Sequence, residues 1–166
     1  MNSRPIVPKD FTVPERLIGD GFHLRMLMVD DLIKDYDAVM ASRDTLPKIL
    51  RPGSTWPGTL TLTEDLIDLG WHQREFTLRS SFAYTVMDID ERQCLGCCYI
   101  NPSDRLGYDV VAWYWARGDQ LSSGLEERLG KVFRSWLTRD WPFRKVAFPG
   151  RDITWDEWLK LEPAWD

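Results

Sequence analysis

The stretch that most constrains this chain is residues 108–150, YDVVAWYWARGDQLSSGLEERLGKVFRSWLTRDWPFRKVAFPG. An apolar, aromatic run at 110–115 reads as a strand. A polar turn with Gly118 and Gly124 follows, then a helical pattern at 122–138 and a short strand-like run at 145–148. Strand, helix and strand in this order make a βαβ unit, whose two strands pair in parallel. The turn leads into a helix N-terminus, where free N–H groups and the positive dipole end can receive an anion.

Upstream, the pattern changes from period two to period 3.6 and back. Residues 22–27 (FHLRML) alternate and predict a first strand, with His23 and Arg25 on its solvent side. Residues 29–42 place Leu32, Tyr36, Val39 and Met40 at helical spacing, with Asp30 as N-cap and Asp31 in the first turn. Residues 45–60, with three prolines and two glycines, read as a loop carrying Trp56. A second helix spans 61–80, capped by Thr63. Its apolar face is Leu66, Leu69, Gly70, Gln73 and Phe76, widened by Ile67 and Trp71, with His72 on the surface. Runs 81–88 and 93–100 form a hairpin that 109–116 extends into an antiparallel meander. Beyond the βαβ unit, 154–161 reads as a short helix with Trp155, Trp158 and Leu159 on one face.

With 166 residues, 43% of them hydrophobic, the chain can bury a full core without disulfides or metal. It reads as a single domain over 1–166, with an extended lead-in at 1–15 and a short helical, Trp-rich tail at 151–166. The net charge of −5 and the absence of any basic run argue against a nucleic-acid partner. No apolar run of membrane-spanning length exists and the N-terminus lacks a signal-peptide core, so no membrane partner and a cytoplasmic protein are expected. Cys94, Cys97 and Cys98 read as free thiols in a strand. Cys94-x-x-Cys97 has no second ligand pair and His23 and His72 lack ligand spacing, so no metal site is expected.

Particular segments resemble the GCN5-related N-acetyltransferase (GNAT) superfamily over about residues 12–160. RLIGDGFHLRMLMVDDL at 16–32 is similar to the family's opening strand and helix start. FAYTVMD and CLGCCYI are similar to its second and third strands, and 109–137 to its fourth strand, phosphate loop and third helix. The spacing is most similar to the ribosomal-protein acetyltransferase-like branch. The resemblance implies an α/β fold with a mixed sheet, an antiparallel meander followed by a βαβ unit. It implies acetyl-CoA as cofactor, its pantetheine arm between the 109–116 and 145–148 strands on the backbone of Trp113, Tyr114 and Trp115. The pyrophosphate would meet Ser122, Ser123 and Gly124, with Arg117 able to pair with a phosphate. Asp109 and Tyr114 are the candidate bases.

The sequence also departs from the family. Its phosphate loop reads Gln/Arg-x-x-Gly-x-Gly/Ala, and Leu121-Ser122-Ser123-Gly124-Leu125-Glu126 keeps only Gly124. Glu126 sets a carboxylate against the pyrophosphate, a repulsion on the order of 3 kcal/mol per charge pair at about 5 Å and an effective dielectric of about 20. The family's final two strands are expected to be missing, and with them the usual tyrosine that protonates the thiolate. Two functions follow: transfer of acetyl from acetyl-CoA to a small-molecule or protein amine, or a non-catalytic GNAT-fold module that binds a ligand or a protein. In the second, an uncovered edge at 145–148 favours a homodimer unless Trp155, Trp158 and Trp165 cover it. An unrelated aromatic-lined pocket protein is a third reading.

Overall fold

The computed structural model describes residues 4–165, so the first three residues of the lead-in lie outside the described residues. The elements run β1 (Arg16–Ile18), β2 (Phe22–Met26), α1 (Leu32–Ala41), α2 (Leu62–Leu78), β3 (Phe82–Asp88), β4 (Cys94–Pro102), β5 (Val110–Ala116), α3 (Leu125–Asp140), β6 (Val146–Ala147) and α4 (Trp155–Lys160). Short 3-10 turns occupy Val29–Asp31, Leu46–Lys48 and Gly118–Ser123.

All six strands form one sheet in sequence order. The expected meander is β3–β4–β5, antiparallel throughout, with one bulge where Val86 faces Gly96 and Met87 faces Cys94. The βαβ unit is β5–α3–β6, with β6 parallel to β5. β2 pairs with β3 across both intervening helices, Leu24 opposite Val86. β1 is an addition: 16–18 fall just after the expected lead-in, and three residues are too few to display alternation. They pair with β2 through a turn at Gly21, where φ is 83°.

Both sheet faces are covered, which is why β3 and β4 are apolar on both sides. On one face α3 packs Leu129, Phe133 and Trp136 onto Leu24, Tyr84, Ile100 and Tyr114. On the other, α1 and α2 cover Met87, Cys97, Tyr99 and Trp115 with Val39 and Leu69. No helix among the described residues is long and apolar enough to cross a membrane.

Several expected details shift. Asp30 does not cap α1. Instead Asp31 accepts the Met28 N–H at 3.0 Å and a two-pronged contact from Arg25 at 2.9 and 2.8 Å. α2 is capped by Thr61 rather than Thr63: its hydroxyl accepts from the Glu64 N–H, and Glu64 accepts from the Thr61 N–H. The inward face of α2 is also rotated, with Asp65 and Leu69 buried while Leu66, Ile67 and Trp71 are 42%, 54% and 42% exposed. His23 is not solvated. It is 4% exposed, its Nε2 lying 3.0 Å from Glu91 in the β3–β4 turn that folds over β2. His72 is half-buried, its ring 5.3 Å from that of Tyr99. In the tail, Thr154 caps α4 and Trp158 is buried against Tyr108.

Candidate functional site

β5 and β6 share only two residue pairs, Val110 with Val146 and Val111 with Ala147. Beyond them β5 continues to Ala116, whereas the chain turns away from β6 at Gly150, φ 80°. The sheet therefore opens into a split beside the backbone of Trp113, Tyr114 and Trp115. The three side chains divide by strand parity. Tyr114 enters the α3 core between Phe133 and Phe148. Trp115 is fully buried on the other face, its indole N–H 3.4 Å from the Tyr99 hydroxyl. Trp113 is half-buried and stacks on Tyr99 at 3.9 Å and 14°.

A residue that sequence reasoning missed sits in this split. The Arg151 guanidinium lies 3.8 Å from the centre of the Tyr114 ring. Its Nη2 donates to the Tyr114 carbonyl at 3.0 Å and to the Glu126 carboxylate at 3.2 Å. Glu126, expected to oppose a phosphate, is thus already neutralised. A lone arginine in a turn carries no signal of this. Its partners are 37 and 25 residues away in the chain.

The N-terminus of α3 borders the split. Gly124 adopts φ 73° between the 3-10 turn and α3, and a Cβ there would meet nothing closer than Arg128 Nη1 at 3.5 Å. The backbone is therefore open to an approaching ligand. Arg128 donates to the Ser123 carbonyl at 2.7 Å, and its Nε is buried without a partner. Ser122 and Ser123 are exposed, the Ser123 hydroxyl donating to the Gln120 carbonyl. Arg117 does not belong here. It is 3% exposed and donates to Asp119, Asp37 and the Cys94 carbonyl, bracing β5 to α1 and β4, so no nitrogen is left for a phosphate.

The candidate bases are also committed elsewhere. Asp109 accepts the backbone N–H groups of Arg144 and Lys145 at 2.7 and 2.9 Å, pinning the start of β6. The Tyr114 phenol is buried against Gly130, where a Cβ would lie 2.2 Å from the hydroxyl.

Two concavities flank Trp113. One, about 230 Å³, lies at the mouth of the split between Ile49, Leu50 and Ser54 of the α1–α2 loop and Val111, Pro149 and Trp155. The other, about 250 Å³, lies under α1 and α2 and includes Asp35, Asp65, Asp68, His72 and Trp56. Burial pushes the Asp35 carboxyl well up and raises Asp65 to about 6, while it pushes His72 down. Asp65 is 2% exposed and its Oδ2 has no partner. Asp65, Asp68 and His72 recur on one helical stripe, a signal available in the sequence; Asp35 joins them only through the packing of α1 on α2. Behind Asp35, Cys97 donates to its carboxylate at 3.4 Å. The donor atoms of Asp35, Cys94 and Cys97 lie within 4.8 Å of one another, so the Cys-x-x-Cys pair does meet a third candidate ligand. A closed zinc site takes four.

No family model matches the sequence, and comparison with curated proteins finds no match. Solved structures do match. A ribosomal-protein-S5-alanine acetyltransferase from Vibrio fischeri is similar at TM-score 0.60 and 15% identity, over 75% of this chain and 67% of that one. RimL, a ribosomal L7/L12 alpha-N-protein acetyltransferase in complex with coenzyme A, is similar at TM-score 0.60 and 13% identity, over 74% and 67%. The microcin C7 self-immunity acetyltransferase MccE, in complex with acetyl-CoA and AMP, is similar at TM-score 0.56 and 10% identity, over 71% and 63%. With its meander, its βαβ unit and its split between β5 and β6, the chain has the fold of the GNAT acetyltransferases.

Proposed function

We propose that the chain binds acetyl-CoA along the split between β5 and β6 and passes the acetyl group to an amine. The observation that carries this is the unpaired β5 edge ending beside the open N-terminus of α3. Two of the similar structures, RimL and MccE, are described with coenzyme A or acetyl-CoA, which supports the reading.

The residues fit the coenzyme at both ends. For the pyrophosphate, the first-turn N–H groups of α3, the bare Gly124 backbone and the Arg128 guanidinium supply donors and positive charge. Arg151 cancels the charge of Glu126 beside them. For the pantetheine arm, the Tyr114 carbonyl must exchange its bond from Arg151 for one from a coenzyme amide. A charged hydrogen bond contributes about 1.5–3 kcal/mol and a neutral one about 0.5–1.5, so the exchange costs about 1 kcal/mol. Arg151 keeps Glu126 as its partner in doing so. When bound, the coenzyme supplies an activated thioester. The chain's own part is to hold it along the β5 backbone and to shield it between α3 and the α1–α2 loop. Neither Asp109 nor Tyr114 is free to take the amine's proton, so as the N–C bond forms and the thioester C–S bond breaks the proton would pass through water to the departing thiolate. The acceptor is a small-molecule or protein amine entering on the Trp113 side; the similar ribosomal-protein acetyltransferases favour a protein amine.

A thermal-shift and calorimetric titration with acetyl-CoA tests this. At about 100 times Kd the protein should gain about 2.7 kcal/mol of stability. Gly124→Glu should abolish the gain, because it places a strained, charged side chain where the phosphates approach. No shift at millimolar coenzyme sinks the proposal.

The Arg151 side chain also favours a second reading, a non-catalytic module whose split is permanently filled by its own chain. Binding by Arg151→Ala but not by the natural chain would select that reading.

A further inference from the structure

We propose that Cys94 and Cys97 of β4, with Asp35 of α1, form a binding site for a zinc ion between the sheet and the helix that covers it. Spacing alone argues against this, because residues three apart on a regular strand point to opposite faces. The bulge in β4 removes that objection. Val86 faces Gly96 but Met87 faces Cys94, so Leu95 is the extra residue and Cys94 is re-aimed to the face that Cys97 occupies. Glycine at 96 lets the strands close here: a Cβ would lie 2.0 Å from the Trp115 carbonyl oxygen. Both thiols are fully buried, and the Asp35 they meet is 4% exposed.

The setting of Asp35 points to a cation. Buried charges are paired or coordinate metals. The ionisable groups that act on this carboxylate are Cys94, Asp65, Cys97 and Asp31, every one an acid. Asp31 already holds Arg25. A zinc ion supplies the positive charge that the neighbouring side chains leave out. The distances suit it. Zn–S bonds of about 2.3 Å and Zn–O bonds of about 2.0–2.2 Å set tetrahedral ligand atoms about 3.5–3.8 Å apart. Cys97 Sγ lies 3.4 Å from Asp35 Oδ1 and all three donor atoms lie within 4.8 Å of one another, so closing on the ion takes a shift of at most about 1 Å. The surrounding hydroxyls suit thiolates. That of Thr85 lies 3.5 Å from Cys94 Sγ, and that of Tyr99 is hydrogen-bonded to Cys97. Both can turn a proton toward sulfur once the thiols lose theirs. Asp65, hydrogen-bonded to Asp35, orients that ligand from outside. Asp35 also lines the concavity under α1 and α2, which provides an entry path and a water for the fourth position. Two sulfur ligands favour zinc over calcium or magnesium, which take oxygen. On binding, each thiol gives its proton to solvent, and the ion ties α1 to β4.

The test is titration of the full, reduced chain, stripped with EDTA and free of coenzyme, with zinc chloride and separately with cobalt chloride. One zinc per chain should bind and raise the midpoint of thermal unfolding. Cobalt should give a thiolate-to-metal charge-transfer band in the near ultraviolet. Cys98→Ser is the internal control: Cys98 lies on the opposite sheet face, in the α3 core, and its loss should change neither readout. Loss of an outer partner costs about 10- to 100-fold in metal affinity, so loss of a ligand in Cys94→Ser or Cys97→Ser should cost more than about 100-fold and weaken the band. Asp35→Asn should weaken zinc by at least about tenfold. If the cysteine variants do not fold, Cys98→Ser and Asp35→Asn carry the decision, because any thiolate band in Cys98→Ser comes from Cys94 and Cys97. The proposal falls if no zinc binds, if cobalt gives no charge-transfer band, or if calcium chloride binds as tightly as zinc. It also falls if Cys98→Ser abolishes the band or if Asp35→Asn binds zinc as the natural chain does. Because acetyl-CoA is left out, failure here leaves the coenzyme proposal standing, and failure of the coenzyme titration leaves this one standing.

Discussion

Asp65 points inward from α2, where a stripe of leucines would be the ordinary choice. Its carboxyl is raised from 3.8 to about 6, first by burial and then by the charge of Asp68. The folded chain therefore holds this proton more tightly than the unfolded chain does. The stability it contributes is fully present below pH 3.8 and is lost as pH rises through about 6. Asn at 65 keeps an acceptor for Asp35 and has no charge to desolvate. Asp65→Asn should thus be more stable than the natural chain above pH 6, by up to about 3 kcal/mol, with the advantage vanishing toward pH 4. Urea unfolding across that range reads the difference directly. A constant offset with pH would show that Asp65 is not the titrating group. Acids of ordinary behaviour work in the opposite direction. Glu91 is lowered to about 2, mainly by its bond from Arg25, and stabilises the turn over β2 at neutral pH.

β6 is two residues long and cannot hold its place by pairing alone. Asp109, just before β5, supplies what is missing. It bonds the N–H groups of Arg144 and Lys145, and its own N–H donates to the Lys145 carbonyl at 2.9 Å. Asp109→Ala should cost about 1–3 kcal/mol in urea unfolding by leaving two N–H groups without their charged acceptor. Asp109→Asn should cost less, since one acceptor oxygen remains. A neutral Asp109→Ala would mean that β6 is held by α3 and Phe148 instead. The same carboxylate reads, from residue type alone, as a candidate base at the head of a strand. Only its partners, 35 and 36 residues on, show that it is a clamp.

Arg151 joins parts of the molecule far apart in the chain: the β6–α4 turn, the β5 carbonyl at Tyr114 and α3 at Glu126. That pairing changes the electrostatics of the α3 N-terminus from repulsive to neutral. Glu126→Gln would leave Arg151 its full charge beside Arg128. Under the coenzyme proposal it should tighten acetyl-CoA binding by about three- to tenfold at low salt, with the gain shrinking as salt screens it. Weaker binding in titrations of that variant would show that Glu126 positions Arg151 rather than opposing the phosphates. Much of the architecture was readable beforehand. The strands at 82–88, 94–102 and 110–116 and the helix at 125–140 have long, regular patterns, and their order implies the sheet. The short β1, the rotated face of α2 and the burial of His23 and Arg117 were not readable. β1 is too short to display a pattern; in the other cases a contact from a remote segment overrides it: Asp35 on Asp65, Glu91 on His23, Asp37 on Arg117.

Local periodicity settles where strands and helices form, because alternation and 3.6-residue spacing act within a few residues of chain. It does not fix the start of α3, read from 122: the chain turns left-handed at Gly124, φ 73°, and the helix begins at Leu125. Whether the turn still suits an anion, which acid is a clamp and which is a buried orphan, and what fills the split were decided by tertiary structure. Burial and charge pairing depend on neighbours that are distant in sequence. Glu126 is the clearest case: read beside Gly124 it opposes a phosphate, and read beside Arg151 it is already balanced.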